Sequence, residues 1–177
     1  MIDVLDSIKP IALRKRIKGE FYRMERLYDN MYIINLDGKI NFIIEKNDKD
    51  NNKKSVYKFI ISNNYPFLPP DVYINNIKYG QYLHCPNKFL NILNYIRGIE
   101  CFCCASQTCR INWNPSLSIK NIMDEIEDNK NTKYNIMIKI FLDKIKEEYL
   151  NRDIELDSWL FYVARPQVIV PGTKYFI

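Results

Sequence analysis

The chain has 177 residues, of which 47% are hydrophobic and 27% are charged, and its formal net charge is +5. These values are typical of a globular domain of about 150 residues with a modest appendage, and they argue against wholesale disorder. No apolar run approaches the roughly 18 residues of a membrane span, and so mild a charge does not favour a dedicated nucleic-acid-binding protein.

The first half of the chain predicts one helix followed by an antiparallel meander. Residues 7–28 carry an apolar stripe at helical spacing, formed by Ile17, Phe21, Met24 and Tyr28. Four strand-like segments follow, at residues 31–36, 39–45, 56–62 and 71–77. Asp37-Gly38, between the first two, is a hairpin signal that requires positive φ. Ile40, Phe42 and Ile44 alternate on one strand face, and the Pro-rich segment 65–70 excludes a helix.

The second half predicts an irregular segment and then two helices. Residues 78–115 show no sustained period. Residues 118–127 and 134–150 have helical apolar spacing, with a break predicted at 128–132. The aromatic stretch at 159–177 predicts an extended tail packed on the core or on a partner, so we expect a domain at 1–150 and a tail at 151–177. The fold class is α+β.

Cysteines mark the segment in which chemistry is expected. There are five cysteines, and four of them lie within nine positions at Cys101, Cys103, Cys104 and Cys109. Without a secretory signal, we expect a reducing compartment, the cytoplasm or nucleus, or the host cytoplasm if the source is viral. The abundance of Ile, Asn and Lys indicates an A/T-rich genome, of a protist or a large DNA virus.

Five sequence motifs resemble those of ubiquitin-conjugating enzymes, in the same order. They are Ala-Leu-Arg-Lys-Arg-Ile at 12–17, Tyr-Pro-Phe-Leu-Pro-Pro-Asp-Val at 65–72, His-Cys-Pro-Asn at 84–87, Gly-Ile-Glu-Cys-Phe at 98–102 and Trp-Asn-Pro-Ser-Leu at 113–117. The resemblance covers about residues 8–150. It implies an N-terminal helix, a four-stranded antiparallel meander, an active-site segment and C-terminal helices. This chain departs from the pattern by the inserted Cys85 and by a polar loop in place of a glycine-rich one.

The resemblance implies an acyltransferase that works through a cysteine thioester. Cys101 would accept ubiquitin or a ubiquitin-like modifier from an activating enzyme and pass it to a lysine of a protein substrate, directly or with a ubiquitin ligase. Asn87 would stabilise the oxyanion, Asp128 would orient or deprotonate the incoming lysine, and His84 would be structural in the active-site loop. We expect no cofactor and no metal, because ATP is consumed by the activating enzyme, and no nucleic-acid or membrane partner.

Two contact surfaces follow from the same resemblance. Phe67 in the Pro-rich turn, together with Pro115 and Ser116, corresponds to the ligase-binding loops. The helix cations Arg14, Lys15 and Lys18 correspond to the activating-enzyme contact, although a solvated helix face accounts for them equally well.

Three alternatives stay open. The distance from Gly98 favours Cys101 as the nucleophile, whereas the distance from Trp113 favours Cys104. A second alternative is a catalytically inactive interaction module that retains the fold. A third is a zinc-stabilised binding domain. In that last case Cys101-x-x-Cys104 supplies two ligands, and Cys109, Cys85 and His84 are candidates for the others.

Overall fold

The computed structural model describes residues 2–6, 8–36, 38–47 and 54–150. The predicted tail at 151–177 lies outside the described residues. The chain divides into two compact units, Met1–Lys133 and Tyr134–Ile177, and each is described by itself.

The described elements are six helices and five strands. The helices are α1 (Ile2–Asp6), α2 (Ile11–Glu25), α3 (Tyr79–Leu83), α4 (Asn87–Arg97), α5 (Phe102–Ala105) and α6 (Ile119–Leu150). The strands are β1 (Asn30–Leu36), β2 (Lys39–Asn47), β3 (Lys54–Ile61), β4 (Asp71–Ile74) and β5 (Ile77–Lys78). None of the described helices combines the length and the apolar composition that crossing a bilayer requires.

The strands form one antiparallel sheet in the order β1-β2-β3-β4-β5, which confirms the predicted α+β class and the meander. In its register Phe42 is opposite Phe59, and Phe59 is opposite Val72, so one face presents a continuous apolar surface. Ile40, Phe42 and Ile44 are all buried, as their alternation predicts. Helix α2 packs on this sheet, with the rings of Phe21 and Phe42 in an edge-on contact at 6.1 Å.

The sheet has five strands instead of the four expected. The segment predicted as one strand over 71–77 turns back at Asn75 and Asn76, whose φ angles are 49° and 65°. Two successive residues at positive φ are typical of the tight turn that joins hairpin strands, and asparagine tolerates them. Strand β5 was not predicted because two residues are too few to show a period. Gly38 adopts the positive φ, 74°, that the first hairpin signal requires.

The helix predicted over residues 7–28 is shorter in the structure, and a separate short helix precedes it. Helix α2 begins only at Ile11, after Pro10, and the separate helix α1 ends at Asp6. The buried stripe of α2 contains Ile17, Phe21 and Met24, as predicted. The prediction included Pro10 in the first turn of the helix. In the structure Pro10 precedes α2, because its fixed φ and missing N–H suit a helix boundary.

The prediction that residues 78–115 are irregular was wrong. Helices α3, α4 and α5 lie in this segment. The sequence of α4 carries an apolar stripe at helical spacing, formed by Phe89, Leu90, Leu93 and Ile96, which the prediction of an irregular segment overlooked. Only Leu93 of this stripe is fully buried. The boundaries of α4 were visible as well, since Pro86 precedes it and Gly98 closes it with φ of 66°.

The predicted break at 128–132 was also wrong, because α6 is continuous from Ile119 to Leu150. Its first turns bury Ile119, Ile122, Met123 and Ile126, in agreement with the predicted apolar side. The part of the helix in the second unit is different. Several apolar residues expected to pack are largely exposed there, namely Ile138, Phe141 and Leu142.

Candidate active-site thiols and the neighbouring loops

The cysteine segment begins where α4 ends. Gly98 takes the left-handed conformation that closes the helix, a conformation that other residues adopt at a cost. The chain then extends to Cys101, which caps the short helix α5 with φ of −157° and ψ of 152°. Phe102 is 1% exposed and anchors this helix in the core. The buried ring of Phe102 therefore holds the neighbouring thiols of Cys101 and Cys103 near the surface.

A half-buried carboxylate fixes the other end of the segment. Glu125 of α6 accepts hydrogen bonds from the Ser106 hydroxyl at 2.6 Å and from the Gln107 backbone N–H at 2.6 Å. It also accepts one from the Tyr79 hydroxyl at 3.0 Å. The Asn112 side chain donates to the Cys104 carbonyl at 2.6 Å. Ser106 and Gln107 thus connect the segment to α6, and Asn112 connects two parts of the segment to each other.

Three thiols converge at α5. The Cys101 and Cys103 sulfurs lie 3.1 Å apart, and the Cys103 and Cys104 sulfurs lie 3.9 Å apart. All three sulfurs are within 4.8 Å of one another. The Cys104 backbone N–H donates a hydrogen bond to the Cys101 sulfur at 3.2 Å. Cys109 and Cys85 do not belong to this cluster.

The three thiols are not equivalent in acidity. Hydrogen bonds from the Cys104 thiol, from the Cys103 thiol and from the Cys104 backbone hold the pKa of Cys101 below its usual range. The hydrogen bond to Cys101 raises the pKa of Cys103. Hydrogen bonds to Cys101 and Cys103 raise the pKa of Cys104 to about 12. Within the cluster, Cys101 is therefore the thiol that ionises first.

The predicted partners of the nucleophile, Asn87 and His84, lie at two helix boundaries. Asn87 is the first residue of α4, and its side chain is exposed. His84 follows α3 and is also exposed. Within the described part of the chain, neither side chain makes a hydrogen bond. The structural role of His84 and the oxyanion role of Asn87 stay predictions.

Asp128 lies within α6 instead of just past a short helix. Its two carboxylate oxygens accept from the Arg97 guanidinium at 2.5 and 2.8 Å, which joins α6 to the end of α4. The hydrogen bond from Arg97 lowers the pKa of Asp128. The pair lines a surface cleft of about 560 Å³ that also contains Phe102 and Ser106, so Asp128 lies near the cysteine segment.

The two predicted ligase-binding loops are joined by one hydrogen bond. The Trp113 indole N–H donates to the Pro66 carbonyl at 2.6 Å, and its ring lies 6.0 Å from the ring of Tyr65. Trp113 itself is buried, whereas Phe67 is 76% exposed. Pro115 and Ser116 are exposed as well. The tryptophan therefore brings two distant sequence motifs together and leaves their tips in solvent.

Two of the three cations predicted to contact the activating enzyme, Arg14 and Lys18, bond to other parts of this chain. The Arg14 side chain donates to the Ile8 carbonyl at 3.0 Å, and Lys18 pairs with Asp6 at 2.7 Å. Both contacts connect α2 to the segment before it. Lys15 is exposed and has no ion pair in the described part of the chain.

No protein-family model, curated protein or solved structure matches this chain. The α+β architecture with its antiparallel sheet rests on the structure alone, and the family resemblance stays a prediction.

Two carboxylates that position these loops, the buried Glu20 and the half-buried Glu125, were not predicted from the sequence. Glu20 is 2% exposed and accepts from Arg16 at 2.6 Å, from the Ile119 backbone N–H at 2.7 Å and from the Tyr65 hydroxyl. Glu125 plays the corresponding part behind the cysteine segment. A signal was present for Glu20, because it lies three residues after Ile17 within the apolar stripe of the helix.

Proposed function

We propose that this chain is a divergent ubiquitin-conjugating enzyme that carries ubiquitin, or a ubiquitin-like modifier, as a thioester on Cys101. The observation that carries the proposal is the position of Cys101, a partly exposed thiol at the start of an anchored helix. Its sulfur accepts a backbone N–H, as a reactive thiolate requires. The sheet order, the Tyr-Pro-Phe turn and the Trp113 tether support the similarity to that family.

The reaction consists of two acyl transfers. The Cys101 thiolate attacks the thioester carbonyl of the modifier on the activating enzyme, a new C–S bond forms, and the activating enzyme's thiolate leaves. A substrate lysine amine then attacks the Cys101 thioester. An amide bond forms, the Cys101 thiolate leaves, and the amine proton passes to a base. No cofactor is needed by this chain in either step.

Asn87 is the proposed donor for the oxyanion in the transfer to lysine. Negative charge develops on the carbonyl oxygen, and one well-placed amide N–H lowers such a barrier by about 3 kcal/mol. Asp128 is the proposed base or orienting group for the lysine. Its ion pair with Arg97 favours the carboxylate form, which orients a lysine ammonium better than it accepts a proton.

The proposed surfaces for the ligase and the activating enzyme consist of exposed side chains. Phe67 with Pro115 and Ser116 is the proposed ligase-binding surface, since an exposed aromatic side chain beside a fixed loop is a common binding anchor. Lys15, flanked by Arg14 and Lys18, is the proposed contact with an acidic surface of the activating enzyme. The proposed setting is the cytoplasm or nucleus, or the host cytoplasm for a viral protein.

A catalytically inactive module with the same fold is the second candidate. The observation that favours it is the placement of Asn87, which starts helix α4 and is separated in sequence from Cys101 by that whole helix. A chain without an oxyanion donor would still present the Phe67 surface. It would then bind partners of the pathway without transferring the modifier.

Incubation with activating enzyme, ubiquitin and ATP distinguishes the two candidates. Mass spectrometry of the full chain is expected to show one added ubiquitin that a reducing agent removes. Cys101→Ser is expected to give an ester that survives reduction, because a serine oxygen is a poorer leaving group than sulfur. Cys109→Ser is the matched control and is expected to give a normal reducible conjugate.

The same assay tests the roles within the site. Asn87→Ala is expected to keep the charging step and to slow transfer to free lysine by about 100-fold, the scale of one lost oxyanion donor. A chain that never gains ubiquitin with an active activating enzyme contradicts the enzymatic proposal and favours the module. Loss of the thioester in Cys104→Ser but not in Cys101→Ser moves the nucleophile to Cys104.

A further inference from the structure

The cysteine cluster has a geometry that the thioester chemistry does not need. One nucleophilic thiol is sufficient for acyl transfer, yet the sulfurs of Cys101, Cys103 and Cys104 all lie within 4.8 Å of one another. Zinc bonds to thiolate sulfur at about 2.3 Å, which puts the sulfurs of a tetrahedral site about 3.8 Å apart. The two separations of 3.1 and 3.9 Å bracket that value.

We propose that the thiolates of Cys101, Cys103 and Cys104 bind one Zn²⁺ ion, with the fourth coordination position open to water. Each thiol that binds loses its proton to solvent, and three S–Zn bonds form. Among the described residues, no further histidine, cysteine or acidic side chain joins this group, so three protein ligands are what the segment offers. Three ligands and an open position are typical of zinc sites that are not purely structural.

The surroundings of the thiols are those of a supported site. The Cys104 backbone N–H bonds to the Cys101 sulfur, the kind of contact that orients a thiolate ligand. The buried ring of Phe102 and the bond from Asn112 to the Cys104 carbonyl hold the backbone on which the ligands sit. Because Cys103 and Cys104 are adjacent within α5 and Cys101 caps that helix, small side-chain rotations are enough to equalise the sulfur separations.

This ligand set differs from the one that spacing suggested. The zinc alternative from the sequence used Cys101 and Cys104 with Cys109, Cys85 or His84. In the structure Cys103 takes the third place, and the other candidates lie outside the cluster. The site does not rest on the proposed function, because its occupancy is measured without any enzyme of the pathway. A Cys101 thiolate bound to Zn²⁺ is not free to accept the modifier, so the thioester forms only on the metal-free chain.

Titration of the full chain with Zn²⁺ against a chromophoric chelator tests the site. One ion per chain is expected, and each of Cys101→Ser, Cys103→Ser and Cys104→Ser is expected to weaken binding by about 100-fold or more, since even outer contacts cost 10–100-fold. Cys109→Ser and Cys85→Ser are matched controls and are expected to leave the affinity unchanged. Absence of binding, or equal loss in a control variant, overturns the proposal.

A measurement on the unmutated chain keeps the test independent of variant folding. With one equivalent of Zn²⁺, iodoacetamide is expected to spare Cys101, Cys103 and Cys104 while it still labels Cys109, as read by peptide mass spectrometry. Excess chelator is expected to restore labelling. Equal labelling of all five cysteines with and without Zn²⁺ contradicts the site. Failure of ubiquitin charging alone leaves this result untouched and concerns only the proposed function.

Discussion

Cys101 and Cys104 differ in their surroundings although they are only three positions apart. Cys101 accepts a backbone N–H and hydrogen bonds from its neighbours, and these lower its pKa. Cys104 is more exposed, yet its pKa is raised to about 12 because it donates into the cluster. Exposure alone would favour Cys104 as the reactive thiol. Hydrogen bonding reverses that order, since the thiolate is the nucleophile.

This difference predicts the order of alkylation. With a chelator present at neutral pH, iodoacetamide is expected to modify Cys101 at least about tenfold faster than Cys104, because a larger fraction of Cys101 is thiolate. The rate at Cys101 should reach half its maximum below the pH at which an ordinary thiol does. Timed peptide mass spectrometry measures both rates, and Cys109→Ser serves as the control. Faster labelling of Cys104 would contradict the assignment.

At the scale of elements, a buried carboxylate holds the loops to the helices. Glu20 on α2 connects Tyr65 in the Pro-rich turn to the first residue of α6, Ile119. The Arg16 guanidinium pairs with Glu20 and donates to the Leu117 carbonyl at 2.5 Å. Desolvation by burial, followed by the charge of Glu20, raises the pKa of Tyr65, so its hydroxyl stays a donor. The turn and the Trp113 loop thus share one polar anchor.

Glu20→Ala is expected to lower the free energy of unfolding by about 3 kcal/mol. It leaves the Tyr65 hydroxyl and the Ile119 N–H without their acceptor and removes the partner of Arg16. Urea unfolding followed by circular dichroism measures the change. Asp124→Ala is the control, because it removes an exposed pair with Lys120 on one helix and should cost less than about 0.5 kcal/mol. Equal effects of the two substitutions would contradict the role of Glu20.

The pair of Arg97 and Asp128 predicts a pH effect between α4 and α6. The pKa of Asp128 is lowered in the folded chain, so the pair stabilises the fold above the usual aspartate range, and this contribution is lost as the pH falls through the lowered value. The carboxylate is largely exposed, which limits the contribution to less than about 1 kcal/mol. Urea unfolding at neutral and acid pH should show a smaller difference for Asp128→Asn than for the unmutated chain. Arg97→Gln should reduce it equally, and a difference that survives both substitutions would contradict the assignment.

At the scale of the whole molecule, the described surface presents an exposed aromatic side chain in the Pro-rich turn. Phe67 is 76% exposed next to a turn fixed by Trp113, whereas the exposed Tyr95 lies on α4. The exposed apolar residues of the second unit are a separate feature of the described part of α6. On the proposed function, only the Phe67 surface takes part in ligase binding.

Phe67→Ala is expected to reduce ligase-stimulated transfer by about tenfold or more, as for a central binding residue, while charging by the activating enzyme stays unchanged. Its exposure means that unfolding should change by less than about 0.5 kcal/mol. Single-turnover discharge with and without a ligase domain measures the effect. Tyr95→Ala, a similarly exposed aromatic residue, is the control. An equal loss in both variants would contradict a specific surface.

The sequence by itself determined the antiparallel meander, except for its last short strand, and the buried faces of α2 and of the start of α6. Alternation through Ile40, Phe42 and Ile44, and helical spacing through Ile17 and Phe21, are local patterns that burial then follows. The hairpin at Gly38 was predictable for the same reason, because only its own residues set the φ that it needs. The cluster of cysteines was visible as a candidate site from spacing alone.

Only the tertiary structure decided the arrangement of the site. The turn of α5 brings both Cys103 and Cys104 close to Cys101. The spacing in the sequence had instead suggested Cys104 together with Cys109, Cys85 or His84. The link from Trp113 to Pro66 and the burial of Glu20 join residues that are far apart in the chain. The unbroken course of α6 through residues 128–132 includes contacts with other segments, such as the pair of Asp128 with Arg97, which a local pattern does not contain.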